Sequence, residues 1–281
     1  MGQGSRGSGL VAAGVGWGVA IGVALGTLLI APAVNGTLDQ GPFTRGAAGT
    51  TSSANEDANG AAAQDAARQA QAANELLAEA STRLVAGALE GVPVTIIRTA
   101  DSADEDAAAV RWLANAAGAT KAGSLTLTEK FFDQNSADEL SSIIANTLPA
   151  GAQLSVENRS PGTHAGQSLA AALAQDPATG EGYASAADRD LVLDALAAAG
   201  FVEVDAPVEP AGAIIVVAGE ATEGFAGQAL QDFAAALRER ADAVLATRGQ
   251  APDANAVGEV DAEAGRIRAV LSAGEQHSAR G

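Results

Sequence analysis

The chain of 281 residues contains no cysteine, only the methionine at its start, and two histidines. Without cysteine there can be no disulfide, no thiolate metal ligand and no thiol nucleophile. Soft metal ions prefer sulfur ligands, so the sequence predicts no dedicated site for them. Aromatic residues make up only 3% of the chain. The folded part must therefore be held by a core made largely of Ala, Val, Leu and Ile.

Basic residues are also scarce, with 16 Lys and Arg against 34 Asp and Glu, which gives a net charge of −18. A surface of this charge repels nucleic acid and anionic lipid headgroups and attracts cations and basic proteins. We therefore expect no nucleic acid among the partners of this chain.

One long apolar segment is present, residues 10–31, and it contains no charged side chain. At about 1.5 Å of rise per residue it spans about 33 Å, enough to cross a hydrocarbon core. Because Arg6 precedes it and the first charge after it is Asp39, we predict a retained transmembrane helix with residues 1–9 as a short cytoplasmic tail. A cleaved signal peptide is the alternative, since residues 31–33 resemble a small-x-small cleavage site.

Four glycines recur at every fourth position inside this segment: Gly14, Gly18, Gly22 and Gly26. Small residues at this spacing let two helices approach closely in lipid. We predict that this face packs against another helix, in a homo-oligomer or with another membrane protein. The alternative is coincidence, because the chain contains 33 glycines.

The composition changes twice behind the predicted anchor. Residues 32–59 are rich in Gly, Thr, Ser and Asn and predict a flexible linker. Residues 60–90 are helix formers and predict a coiled-coil-like spacer. Its seam would consist of Ala63, Ala70, Leu77 and Leu84. An amphipathic helix that packs on its own domain is the alternative.

Residues 91–247 alternate between short β-branched runs and helix-forming segments. The predicted strands are 92–99, 125–128, 201–204, 213–218 and 243–246, and the predicted helices are 105–117, 137–148, 166–174, 187–199 and 225–240. This alternation predicts an extracytoplasmic α/β domain, a mostly parallel sheet covered by helices. For residues 248–281 we expect a partly disordered segment.

No motif in the sequence predicts catalysis. Gly219, Gly224 and Gly227 follow the strand signal at 213–218, but their spacing matches neither a dinucleotide-binding loop nor a P-loop. His164 lies in a polar segment that enters a helix, and no serine has the nucleophile-elbow pattern. We expect no enzyme, no catalytic residue, no cofactor and no metal site, and keep a nucleotide binder at 219–227 as an alternative.

Seven segments, in order along the chain, resemble a known family. They are residues 89–94 (LEGVPV), 117–119 (AGA), 123–128 (GSLTLT), 131–133 (FFD), 157–166 (ENRSPGTHAG), 185–189 (SAADR) and 199–201 (AGF). The resemblance is to the MctB family of actinobacterial envelope proteins. It implies copper efflux or homeostasis, with copper as the transported ion, in either membrane of the cell envelope. It also implies an alternative role, an envelope scaffold that acts with a membrane partner to regulate peptidoglycan hydrolysis and daughter-cell separation.

Overall fold

The computed structural model describes residues 50–220 and 223–280, with side chains from residue 61 onward. The predicted tail, the predicted transmembrane helix with its four glycines and most of the predicted linker lie outside the described residues. Among the helices of the described part, none combines the length and the apolar character that a membrane span requires.

Helices and strands alternate along the described chain. The helices are α1 (Thr50–Val85), α2 (Asp104–Ala116), α3 (Ala137–Thr147), α4 (Pro161–Leu173), α5 (Ala186–Ala198), α6 (Gly224–Arg240) and α7 (Glu263–Arg280). The strands are β1 (Pro93–Thr99), β2 (Thr120–Leu127), β3 (Val202–Ala206), β4 (Ala213–Glu220), β5 (Asp242–Arg248) and β6 (Ala256–Val257). Two short 3₁₀ helices, Glu129–Phe132 and Gln134–Ser136, join β2 to α3.

The strands form one sheet in the order β3-β2-β1-β4-β5-β6. Every neighbouring pair is parallel except β2 and β3. The crossover from β1 to β2 runs through α2 on one face, and the crossover from β4 to β5 runs through α6 on the other. The winding therefore reverses between β1 and β4, and the predicted α/β class with a mostly parallel sheet is confirmed.

Helices cover both faces of the sheet and create two apolar layers. The first layer packs α3, α4, α5 and α6 on the sheet, and the second packs the end of α1 with α2 and α7. Strand β4 serves both, because Ile214 and Val216 belong to the first layer and Ile215 and Val217 to the second. A central parallel strand must be apolar on both faces, which explains its continuous apolar sequence.

Helix α1 begins at Thr50, so the last ten residues of the predicted linker are helical. Near its C-terminal end Ser81 and Val85 are buried and Leu77 packs against the second layer. Asn74 Oδ1 accepts a hydrogen bond of 2.7 Å from the backbone N–H of Glu263, the first residue of α7. This part of the helix packs on its own domain, as the alternative interpretation expects.

The other residues of the predicted coiled-coil seam are not covered. Ala63 and Ala70 are exposed, and Leu84 is 50% exposed. Only Leu77 of the four touches the folded unit. The coiled coil stays a prediction for the remaining three.

Residues 248–280 form β6 and the long helix α7, where the sequence suggests partial disorder. Helix α7 buries Ile267, Val270 and Ala273 against the second layer. At its C-terminal end His277 Nδ1 lies 3.0 Å from Asp242 Oδ2, and Arg280 Nε lies 2.9 Å from the other oxygen of the same carboxylate. Packing, the His277 contact and the ion pair of Arg280 with Asp242 order a segment whose sequence is only weakly apolar.

Candidate functional site at the switch point of the sheet

In open α/β sheets, ligands bind outside the carboxyl ends of the strands where the winding reverses. In this fold that point lies between β1 and β4, and a crevice of about 410 Å³ is found there. Its walls come from the ends of β1 and β4, the first turn of α6 and the 3₁₀ helix that follows β2. We call it the switch-point crevice.

The ionisable side chains that line the switch-point crevice are all acidic: Asp101, Glu129, Asp133 and Glu220. The lining also includes the apolar side chains of Phe132, Phe225 and Leu230. Four carboxylates, with no cation among the described residues of the lining, attract a cationic group and repel a phosphate. The crevice therefore does not favour the nucleotide-binding alternative.

Asp101 is held at the crevice by a close backbone contact. A Cβ atom on Gly219 would lie 2.5 Å from Asp101 Oδ2 and 2.7 Å from its carbonyl oxygen. Thr99 Oγ1 donates a hydrogen bond to Asp101 Oδ1. Gly219 therefore allows the loop after β1 to lie against β4, which is a structural role.

The remaining glycines of this turn serve the start of α6. Gly224 is its first residue, with a left-handed φ of 82° that disfavours other residues. Gly227 is buried inside the helix. These positions fit a structural turn from strand to helix.

The family to which the chain belongs follows from its sequence as a whole. Residues 9–280 match the family model described as "Copper transport outer membrane protein, MctB". The chain belongs to the MctB family. It is 34% identical over 234 residues to "Copper transporter MctB" of Mycobacterium tuberculosis (strain ATCC 25618 / H37Rv), which covers 74% of each chain. It is 32% identical over 216 residues to the protein of that name from Mycobacterium leprae (strain TN), covering 67% of this chain and 68% of the relative.

The longest segment that resembles the MctB family, residues 157–166, builds the entry to α4. Ser160 caps the helix by accepting a hydrogen bond of 3.1 Å from the backbone N–H of Thr163. His164 Nε2 lies 3.0 Å from the carbonyl oxygen of Ser155 and ties the preceding loop to the helix. Gly162 and Gly166 face α6 at very short distance. The segment is thus explained by capping and packing.

Both histidines make structural contacts, His164 with the loop before α4 and His277 with Asp242. Among the described residues, no group of three or more His, Asp or Glu side chains is placed to hold a metal ion. The expectation that the chain has no metal site, no cofactor and no catalytic residue stays a prediction.

The sequence did not indicate the ion cluster at the start of α2. Asp106 is 1% exposed, and its two oxygens accept hydrogen bonds of 2.6 Å from Arg248 Nε and 2.9 Å from Arg266 Nη2. Glu105 adds a contact of 3.1 Å to Arg248. The hydrogen bond that Arg248 donates to Asp106 is the main reason why the pKa of Arg248 is raised above its ordinary value. Asp106 thereby joins α2 to β5 and α7.

Proposed function

We propose that this chain is a membrane-anchored cell-envelope protein that contributes to copper efflux or homeostasis. The match of residues 9–280 to the MctB family model supports the proposal, because the matched range includes the whole predicted anchor, residues 10–31. The family and the curated relatives carry copper transport in their names. In this proposal the folded unit lies outside the cytoplasm.

Copper enters the proposal as a transported ion and not as a resident cofactor. The chain offers no cysteine, and its one methionine is Met1, whereas Cu(I) prefers sulfur ligands. A single helix cannot form a pore, because a channel needs several spans or a closed barrel. The predicted anchor would act with other helices through Gly14, Gly18, Gly22 and Gly26, in a non-enzymatic role.

Deletion of the gene is expected to raise cellular copper and to lower the copper concentration that stops growth. The full-length chain, supplied in trans, should restore both values. Elemental analysis of washed cells and growth curves across a copper series measure the effect, with zinc as the control metal. Wild-type copper content and tolerance in the deletion strain would contradict the copper proposal.

We propose an envelope scaffold as the second candidate, one that acts with a membrane partner in peptidoglycan hydrolysis and cell separation. The supporting observation is an exposed apolar stripe on α1. Leu76 is 68% exposed and Leu84 is 50% exposed. The exposed Ala73 and the half-buried Ala80 lie on the same face of α1, because positions 73, 76, 80 and 84 follow helical spacing. Large exposed side chains along one face are typical of an interaction surface.

Changing Leu76 and Leu84 together to lysine is expected to abolish recovery of the membrane partner while leaving the fold intact. Both side chains are exposed, so the free energy of unfolding should change by no more than about 0.5 kcal/mol. Leu77 is left unchanged because it packs on the folded unit. Crosslinking in whole cells followed by affinity purification measures the partner.

The matched control carries the same added charge on the opposite side of α1, with Gln71 and Thr82 changed to lysine. Both of these residues are exposed. Equal partner recovery by the leucine variant and the control would contradict a docking role for the stripe. Chained cells with the leucine variant alone would support the scaffold.

A further inference from the structure

A cavity lies on the face of the sheet that α2 covers, between α2 and the edge strand β3. It encloses about 590 Å³, within the usual range of about 300–1,000 Å³ for small-ligand sites. The helices that join β2 to β3, which are α3, α4 and α5, all belong to the other layer. Because they cover only the opposite face, this face of β3 stays open, and we call the space the α2–β3 cavity.

Charged side chains of both signs line the α2–β3 cavity. The cations are Arg98, Arg111 and Lys121, and the acids are Asp104, Glu203 and Asp205. Arg98 and Asp104 form an ion pair with each other. Among the described residues, the other four have no ion-pair partner. The lining therefore offers two cations and two carboxylates, and it has no net charge for a ligand to balance.

Ser124 connects the cation Arg111 to the acid Asp205. Arg111 Nη2 donates to Ser124 Oγ over 3.3 Å, and Ser124 Oγ donates to Asp205 Oδ2 over 3.1 Å. This direction is fixed, because a guanidinium has no acceptor and an ionised carboxylate has no proton to donate. Thr126 Oγ1 also donates to Asp205 Oδ2, over 3.1 Å. Ser124 and Thr126 are both 7% exposed, so they hold the carboxylate of Asp205 in one place.

The charged atoms of Arg111 and Asp205 lie close together without forming an ion pair. Nη2 of Arg111 and Oδ2 of Asp205 contact the same hydroxyl, so the two contacts together limit their separation to about 6.4 Å. In the described part of the chain, the other N–H groups of Arg111 and the Oδ1 atom of Asp205 make no hydrogen bond. Free donors and a free acceptor thus lie side by side at the wall of the cavity.

The charges of a ligand must match this arrangement. A ligand with a single negative charge is repelled by Asp205 and Glu203, and one with a single positive charge is repelled by Arg111 and Lys121. A ligand whose opposite charges are far apart must fold back on itself to reach partners within about 6.4 Å. An α-amino acid carries both charges on one carbon, with about 2.5 Å between its nitrogen and its carboxyl carbon. A compact zwitterion of this kind meets all three conditions.

We propose that the α2–β3 cavity binds a free α-amino acid. The carboxylate of the ligand accepts hydrogen bonds from Arg111, and its ammonium group donates to Asp205 Oδ1. Charge-assisted hydrogen bonds are about 2.7–2.9 Å long, so a single α-carbon with its two charged groups bridges these side chains. Lys121 and Glu203 add one charge of each sign to the same lining. The proposal is independent of the copper function and of the scaffold function.

The test uses the full chain in detergent micelles, with L-alanine as the probe and isothermal titration calorimetry as the measurement. L-alanine is expected to bind saturably with a Kd below about 1 mM. L-alaninamide lacks the carboxylate and N-acetyl-L-alanine lacks the ammonium group, so each should bind at least about tenfold more weakly. 6-Aminohexanoate keeps both charges but carries them at the two ends of a flexible chain, and it should also bind at least about tenfold more weakly.

Arg111→Gln and Asp205→Asn are each expected to raise the Kd for L-alanine about tenfold. The analogues then test the orientation of the ligand. Arg111→Gln should leave the weak binding of L-alaninamide unchanged, because that analogue lacks the group that Arg111 binds. Asp205→Asn should leave the weak binding of N-acetyl-L-alanine unchanged for the corresponding reason. A variant that merely loosened the cavity would weaken both analogues alike.

The controls are Arg83→Gln and Asp190→Asn, which make the same charge changes at exposed positions on α1 and α5. Thermal unfolding of each variant verifies the fold, and Arg111→Gln decides alone if Asp205→Asn fails to fold. Absence of saturable L-alanine binding would overturn the proposal and indicate that Arg111 and Asp205 neutralise each other. Equal binding of L-alanine and 6-aminohexanoate, or equal Kd values for cavity and control variants, would also overturn it.

Discussion

Replacement of Gly166 by valine is expected to destabilise the folded unit by about 3 kcal/mol or more, at the upper end of the cost of overpacking. Gly166 lies in α4 where that helix crosses α6. A Cβ atom there would lie 2.4 Å from the carbonyl oxygen of Phe233 and 2.7 Å from Ala236 Cβ. The first of these contacts is with backbone, so the clash cannot be relieved by a side-chain rotation and the two helices must separate.

Separation of α4 and α6 would also disturb the switch-point crevice. Phe233 packs edge to face on Phe131 and Phe132, with ring centroids 5.5 Å and 6.1 Å away. Phe132 lines the crevice, and α6 contributes Phe225 from its first turn. The valine at position 166 should therefore loosen the crevice wall as well as lower stability.

Urea unfolding followed by far-UV circular dichroism measures the loss of stability. Ala197→Val is the control, since it places the same β-branched side chain at an exposed position of α5 and should change the free energy of unfolding by less than about 1 kcal/mol. If Gly166→Val unfolds at the same urea concentration as Ala197→Val, the close approach of α4 and α6 is not a determinant of stability.

Strands that are buried on both faces could be predicted from the sequence. Strand β4 is apolar at almost every position, and the prediction at 213–218 agrees with Ala213–Glu220. The sequence predicts strand β2 only at 125–128, whereas the strand spans Thr120–Leu127. Its first half carries Lys121, Gly123 and Ser124, which line a largely polar cavity between α2 and β3. A strand that faces a polar groove lacks the apolar pattern on which strand prediction depends.

The start of α4 is predicted too late in the sequence, for a different reason. The sequence predicts a helix from residue 166, and the helix begins at Pro161. Ser160 and Pro161 are a recognisable cap and first-turn pair, so the signal was present. Gly162 and Gly166 outweigh this signal, because glycine has a low helix propensity. Both glycines are needed where α4 packs closely on α6, and α6 lies far away in the sequence.

The sites depend on contacts that no local pattern predicts. The four acids of the switch-point crevice come from the ends of β1 and β4 and from the segment after β2. The antiparallel placement of β3 beside β2 brings Asp205 to Ser124, 81 positions away in the chain. Charge and composition predict an acidic surface, but topology decides which acids meet. The predicted anchor and residues 32–49 of the predicted linker remain sequence-based expectations.

Asp106→Ala is expected to destabilise the folded unit by about 3 kcal/mol, because it removes the fully buried carboxylate of an ion cluster. The ion pair that Arg266 then keeps is a longer contact of 3.6 Å with Glu263. The side chain of Arg266 is 18% exposed and depends on Asp106 for a hydrogen bond of 2.9 Å. Arg248 is 34% exposed and keeps Glu105, so solvent and that second acid compensate part of its loss.

Asp104→Ala is the matched control for Asp106→Ala. Both acids belong to the first turn of α2, but Asp104 is 82% exposed in its ion pair with Arg98, so its loss should cost no more than about 1 kcal/mol. The pKa of Arg248 is raised, and the stability that a raised pKa on a cation contributes is fully present below the ordinary pKa and is lost as the pH rises through the raised one. The difference between the two variants in urea unfolding should therefore be constant from about pH 6 to pH 9. Equal destabilisation by both variants would show that first-turn charge, and not the buried cluster, holds α2 to β5 and α7.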